Sequence, residues 1–185
     1  MDNKVILITG GVRSGKSAYG ESLFPGDDVI YLATNQFYDL EMQERIALHR
    51  KKRNPKWRLI EATENLGEVI RGSEESCVFV DCVTALITNF MLGTGQEEFR
   101  LQDLGALEET IMEEFAGLLQ VVFEEGKSLI LITNEVGSGI VPEYPLGRGF
   151  RDLAGSINKR LAEAADEVIL MVSGIALKIK EAGDA

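Results

Sequence analysis

Gly10-Gly11-Val12-Arg13-Ser14-Gly15-Lys16-Ser17 fits the pattern G-x-x-x-x-G-K-[ST]. It follows the strand-like Val5-Ile6-Leu7-Ile8 and precedes a segment that can be helical, which is the setting a phosphate-binding loop needs. Each position has a chemical reason. Glycines let the backbone wrap closely around a polyphosphate, while exposed N–H groups and a helix N-terminus supply partial positive charge. Lys16 reaches the β- and γ-phosphates, and Ser17 supplies a hydroxyl to Mg2+. Such a loop needs a second carboxylate at the end of a neighbouring buried strand, and Val78-Phe79-Val80-Asp81 offers one. Asp81 either ligates magnesium or caps the next helix; beside a phosphate loop the metal role is favoured. Glu135 follows the apolar run Leu129 to Ile132 at the edge where open α/β sheets bind ligands. It is a candidate to position a nucleophile or metal, or equally to cap a turn.

The one histidine, His49, lies in a run expected to be helical. Helical spacing puts Arg45 and Arg53 on its face, with Arg50, Lys51 and Lys52 beside it. This is a concentrated cationic patch in a chain of net charge −11. Neighbouring cations disfavour imidazolium, so they keep a histidine neutral and nucleophilic while attracting phosphate. From composition alone the patch also reads as an ordinary solvated helix face.

These residues need a scaffold. The 185 residues, 45% hydrophobic and 26% charged, suit one domain with one core, expected to span 1–185. The acidic balance argues against nonspecific binding to nucleic acid or an anionic membrane, so any phosphate site must be built locally. Neither a signal peptide nor a membrane-spanning run is apparent, and a cytoplasmic setting is expected. Cys77 and Cys82, on opposite faces of an expected strand roughly 16 Å apart, cannot pair without strain. Apolar, β-branched runs recur at Lys4 to Thr9, Asp28 to Thr34, Cys77 to Asp81, Ser128 to Thr133 and Glu167 to Val172. Strands with no polar face are buried on both sides, and the long connections between them predict crossover helices. Helices are expected over Lys16 to Phe24, Leu40 to Lys52, Asp103 to Glu125 and Asp152 to Ala165. Trp57 to Glu61 and Ile175 to Lys180 are expected as edge strands, the latter antiparallel. The pattern is that of a doubly wound α/β fold with a mostly parallel sheet.

Fold class alone leaves kinase, ATPase and GTPase open. A regulatory GTPase should carry an Asn-Lys-x-Asp guanine reader; the nearest string, Asn158-Lys159-Arg160-Leu161, lacks the Asp.

A resemblance narrows the choice. The phosphate loop is followed in order by Tyr31-Leu32-Ala33-Thr34, Arg45-Ile46-x-x-His49, Trp57, Asn134-Glu135-Val136-Gly137-x-Gly139-x-Val141-Pro142, Phe150-Arg151-Asp152, Ala165-Asp166-Glu167-Val168 and Ser173-Gly174. In that order and spacing the chain closely resembles the bifunctional adenosylcobinamide kinase/adenosylcobinamide-phosphate guanylyltransferases of cobalamin biosynthesis. The resemblance covers nearly the whole chain. It implies a P-loop NTPase of RecA-like topology, with helices on both faces of the sheet, and a homotrimer. It also implies two reactions: phosphorylation of the aminopropanol hydroxyl of adenosylcobinamide by ATP or GTP, then transfer of GMP from GTP through a guanylylated histidine. The family's carrier histidine matches His49, and its phosphate loop matches Gly10 to Ser17. Thr34, Arg45, Arg50, Arg53, Glu61 and Asp81 complete the candidate nucleotide-binding set, with Ser17 and Asp81 for the metal. The family's frequent Ser-Gly-x-Pro-Leu reads Ser173-Gly174-Ile175-Ala176-Leu177 here, and its Asn-Gln in the later helix reads Asn158-Lys159.

Overall fold

The apolar runs pair side by side, as strands lacking a polar face must. A computed structural model describes residues 3–24, 26–35, 54–181 and 183. Among them the strands are β1 (Val5–Gly10), β2 (Val29–Ala33), β3 (Arg58–Glu61), β4 (Cys77–Asp81), β5 (Ser128–Ile132), β6 (Glu167–Val172) and β7 (Ile175–Lys180). They form one sheet in the order β3-β2-β4-β5-β1-β6-β7. All neighbours are parallel except β6 and β7. One strand, β5, lies between the strand feeding the phosphate loop and the strand ending in Asp81, which is the RecA-like arrangement.

Among the same described residues the helices are α1 (Lys16–Leu23), α2 (Leu66–Ile70), α3 (Val83–Gly93), α4 (Leu101–Glu124) and α5 (Pro145–Ala164). Strand residues alternate between the two faces with period two. Leu7, Val78, Val80, Leu129 and Leu131 turn to the face covered by α2 to α5, where Leu66, Leu86, Ile111, Phe115, Ile157 and Leu161 complete a core. Ile6, Ile8, Phe79, Ile130 and Ile132 turn to the other face, with Trp57 and with Tyr19 and Leu23 of α1. The sheet is thus covered on both sides, as expected for a doubly wound fold.

Two expectations change. The last helix starts at Pro145 rather than Asp152. Gly147 and Gly149 disfavour a helix locally, but Pro145 at the first helical position starts it. Packing carries it on: a Cβ at Gly149 would lie 3.5 Å from Leu104 and Met91, so this turn nests against α3 and α4. Helices α2 and α3 were not anticipated. Helix α3 buries Val83, Thr84, Leu86, Ile87, Asn89 and Met91, on too many sides to leave a clean stripe. The helix expected over Leu40 to Lys52 lies outside the described residues.

Helix α1 sits close on the sheet at Gly20, where a Cβ would come within 2.8 Å of Phe79 and 3.1 Å of Ile132. Its seating sets the height of the phosphate loop. Gly20→Val is therefore expected to destabilise the fold by about 1–3 kcal/mol through overpacking, read as a lower urea midpoint with an unchanged slope.

Candidate active site

The phosphate loop is held by its own backbone and by two neighbours. Within it the Ser14 amide donates to the Gly11 carbonyl, and the Tyr19 amide to the Gly15 carbonyl. Arg13 and Gly15 take positive φ values of 57° and 97°, so the chain reverses hand before entering α1. From one side the Glu135 amide donates to the Gly10 carbonyl at 3.0 Å. From the other, the turn between β6 and β7 reaches over. Ser173 and Gly174 both have positive φ, as a two-residue hairpin of type I′ requires, and the Gly174 amide donates to the Ser14 carbonyl at 3.0 Å. The Ala176 departure leaves this turn intact, since Ala176 pairs with Met171 in the ladder. A Cβ on Gly10 would collide with the Met171 carbonyl, so only glycine fits there.

Lys16 is buried and folds back over the loop, donating to the carbonyls of Gly10 at 2.9 Å and Gly11 at 2.7 Å. Burial pulls its amine below the ordinary lysine value, with the nearby Cys82 and Asp81 opposing. Ser14 is 7% exposed, and among the described residues its hydroxyl has no hydrogen-bond partner. Gly11, Val12 and Arg13 are exposed. A buried cation and an orphaned hydroxyl within a glycine-rich turn form a cradle with unmet demand for an anion.

Asp81 ends β4, opposite Ala33 of β2 and Ile132 of β5. Its Oδ2 accepts from Ser17 Oγ at 3.3 Å and from the Tyr31 hydroxyl at 2.7 Å. Ser17 and Asp81, both expected at the metal, lie within hydrogen-bond reach of each other. One carboxylate and one hydroxyl are the hard oxygen donors that Mg2+ takes when phosphates and water complete its shell. Among the described residues no cluster of three or more His, Cys, Asp or Glu could hold a metal alone. The Ser17 hydroxyl and Asp81 carboxylate fit a Mg2+ whose remaining ligands are phosphate and water oxygens. Cys82, next in the chain, has its thiol pushed up to about 11 by burial and then by the Asp81 carboxylate. Cys77 is raised further, chiefly by burial. Both are free thiols and protonated at neutral pH.

Two expected residues have other work. Thr34 is fully buried; its hydroxyl donates to the Cys82 carbonyl at 2.7 Å, and its carbonyl accepts from Asn89. It shapes the strand ends from beneath. Glu135 turns its Oε1 to the Gly137 amide at 2.7 Å and the Ser138 amide at 3.2 Å, so of its two readings the geometry matches the turn cap. Glu61 ends β3 beside Ala33, on the same edge of the sheet as Asp81. His49, Arg45, Arg50 and Arg53 lie outside the described residues.

A polar layer under the site was not read from the sequence. Asn158 of α5 accepts from Thr133 Oγ1 at 2.6 Å and donates to the Asn134 carbonyl at 3.0 Å. Asn134 in turn donates to Thr84 Oγ1 at 2.8 Å. These bonds tie the end of β5 to α3 and α5. The signal was present: Asn158 interrupts the apolar stripe of Ala154, Ile157 and Leu161, where a polar side chain must find a buried partner.

With the phosphate loop, its lysine and a strand-end carboxylate in place, comparison with known proteins decides the family. The family model described as cobinamide kinase / cobinamide phosphate guanyltransferase matches residues 6–179. The chain belongs to that family. It is 44% identical over 181 residues to the bifunctional adenosylcobalamin biosynthesis protein CobU of Escherichia coli, covering 95% of this chain and 99% of the relative. The CobU protein of Salmonella typhimurium matches at the same identity and coverage. The bifunctional adenosylcobalamin biosynthesis protein CobP of Pseudomonas aeruginosa is 36% identical over 184 residues, covering 94% of this chain and 96% of the relative. Membership thus extends across the described site and the segment carrying His49.

Proposed function

We propose that this cobinamide kinase / cobinamide phosphate guanyltransferase phosphorylates adenosylcobinamide with ATP or GTP. It then transfers GMP from GTP, through His49, to give adenosylcobinamide-GDP. The observation that carries the reading is a built phosphate loop facing a Ser17–Asp81 pair within a chain the family model spans from residue 6 to 179.

In the kinase step, the loop amides and Lys16 hold the triphosphate, and the acceptor hydroxyl attacks the γ-phosphorus as the nucleoside diphosphate leaves. Lys16 would exchange the carbonyls of Gly10 and Gly11 for phosphate oxygens. Ser17 and Asp81 would hold Mg2+, which when bound neutralises phosphate charge. In the second step, a nitrogen of His49 forms a bond to the α-phosphorus of GTP, and the bond to pyrophosphate breaks. The phosphate of adenosylcobinamide phosphate then attacks the same phosphorus, the P–N bond breaks, and His49 is regenerated. Arg45, Arg50 and Arg53 would neutralise the phosphates around it.

Incubation of adenosylcobinamide with ATP, GTP and Mg2+, followed by chromatography, tests the assignment. The phosphate should form with ATP alone or GTP alone, and the GDP derivative only when GTP is present. Nucleotide hydrolysis with no modified corrinoid would contradict the assignment and point instead to a kinase of another metabolite or to a switch or binding module.

The functional unit under this reading is a homotrimer, in the cytoplasm, without nucleic acid or membrane. No helix among the described residues is long and apolar enough to cross a membrane. Self-association is supported by β7: Ile175, Leu177 and Ile179 alternate along this edge strand and are 71%, 55% and 56% exposed. An exposed apolar edge strand is a surface that proteins normally cover. Sedimentation at micromolar concentration should give three times the chain mass, and Leu177→Glu should shift it toward one. A fully active monomer contradicts the trimer.

A further inference from the structure

We infer that Tyr31 is the positioning residue of the metal site: its hydroxyl fixes the Asp81 carboxylate in the orientation that meets Ser17, so that the site is arranged before magnesium arrives. The inference rests on the reading of Ser17 and Asp81 as magnesium ligands.

Tyr31 lies in β2, the strand beside Asp81's own, and is 7% exposed. Its ring stacks on Phe79, with centroids 5.5 Å apart and planes 19° from parallel. Phe79 packs in turn on Trp57 at 5.7 Å, and the Trp57 indole N–H donates to the Gly26 carbonyl at 2.9 Å. Three rings, pinned at the far end by a backbone hydrogen bond, leave the phenol little freedom. Its hydroxyl donates at 2.7 Å to Asp81 Oδ2, the same oxygen that accepts from Ser17 Oγ at 3.3 Å. A short O–H···O bond to an ionised acceptor is about twice as strong as a neutral one. A carboxylate held this way loses little further freedom when it takes a cation, and removing such a supporting partner typically costs about 10- to 100-fold in metal affinity. Tyr31 touches neither nucleotide nor acceptor in this scheme and acts through Asp81.

Tyr31→Phe keeps the ring and its stack and removes one hydroxyl, so the ligand-free melting temperature should stay close to the parent's. GDP binding is then titrated calorimetrically across a range of Mg2+ concentrations for the parent, Tyr31→Phe and Asp81→Asn. For Tyr31→Phe the Mg2+ concentration giving half of the magnesium-dependent gain in GDP affinity should rise about tenfold. GDP binding in EDTA should match the parent, and the kinase rate lost at low Mg2+ should be largely recovered at high Mg2+. Tyr31→Leu, which also removes the stack, should lower the melting temperature as well. An unchanged magnesium dependence in Tyr31→Phe, with Asp81→Asn impaired, overturns the role of Tyr31 alone. An equal loss of GDP binding with and without Mg2+ overturns it too. Absence of any magnesium dependence in the parent, or a normal one in Asp81→Asn, overturns the metal-site reading beneath it.

Discussion

In a Lys16→Ala protein, phosphoryl transfer to adenosylcobinamide is expected to fall about 10²- to 10³-fold or more while the fold persists. Lys16 supplies the one ammonium in the loop, and burial has already stripped it of much of its water. A desolvated charge aimed at phosphate oxygens contributes far more than one in solvent. The loop should survive because its shape is set elsewhere: by Ser14 on Gly11, Glu135 on Gly10, and Gly174 on Ser14. Lys16→Arg keeps the charge but places a planar fork where a compact ammonium reached two carbonyls, so it should recover little. Steady-state kinetics with both nucleotides measures the loss, and a melting curve checks the fold. Parent-like turnover in folded Lys16→Ala contradicts the assignment.

The second large effect separates the two activities in one chain. His49→Ala should abolish formation of adenosylcobinamide-GDP, while adenosylcobinamide is still phosphorylated at a substantial rate. No other imidazole can take over, since the chain has a single histidine. A covalent carrier cannot be replaced by improved binding elsewhere, so the loss should be near complete rather than graded. Product analysis with ATP and GTP reads both steps in one sample. Guanylyl transfer that survives the substitution contradicts the carrier role, and equal loss of both steps makes His49 part of a shared binding surface.

The phosphate loop was legible because its chemistry needs consecutive residues, and a strand before and a helix after are local patterns. Asp81 was legible for a related reason: an acid closing an apolar strand stands at the edge where ligands bind. Tyr31 was not, because its contact with Asp81 exists only once β2 lies beside β4, and pairing order is a property of the whole sheet. The turn at Ser173 and Gly174 was visible as a motif, but its bond to Ser14 depends on β6 lying beside β1. Asn158 marked itself as a polar residue on an apolar stripe, yet its partners at Thr133 and Asn134 lie on another element. The early start of α5 escaped for the opposite reason, since Gly147 and Gly149 weaken the local signal while neighbouring helices carry the packing. Thr34 and Glu135 show the remaining gap: residue type and position placed them at the active edge, but which backbone groups they serve is decided by turns a few residues away.

Guanylyl transfer through His49 is tested most directly by incubating the protein, without corrinoid, with GTP labelled at either the α- or the γ-phosphate and mapping any adduct. Label from the α-phosphate should appear on His49, accompanied by stoichiometric pyrophosphate; label from the γ-phosphate should not be retained. The bond should be acid-labile and base-stable, as a phosphoramidate is, and adding adenosylcobinamide phosphate should discharge it as adenosylcobinamide-GDP. Label on another residue, retention of the γ-phosphate, or an adduct that the acceptor fails to discharge would contradict transfer through His49.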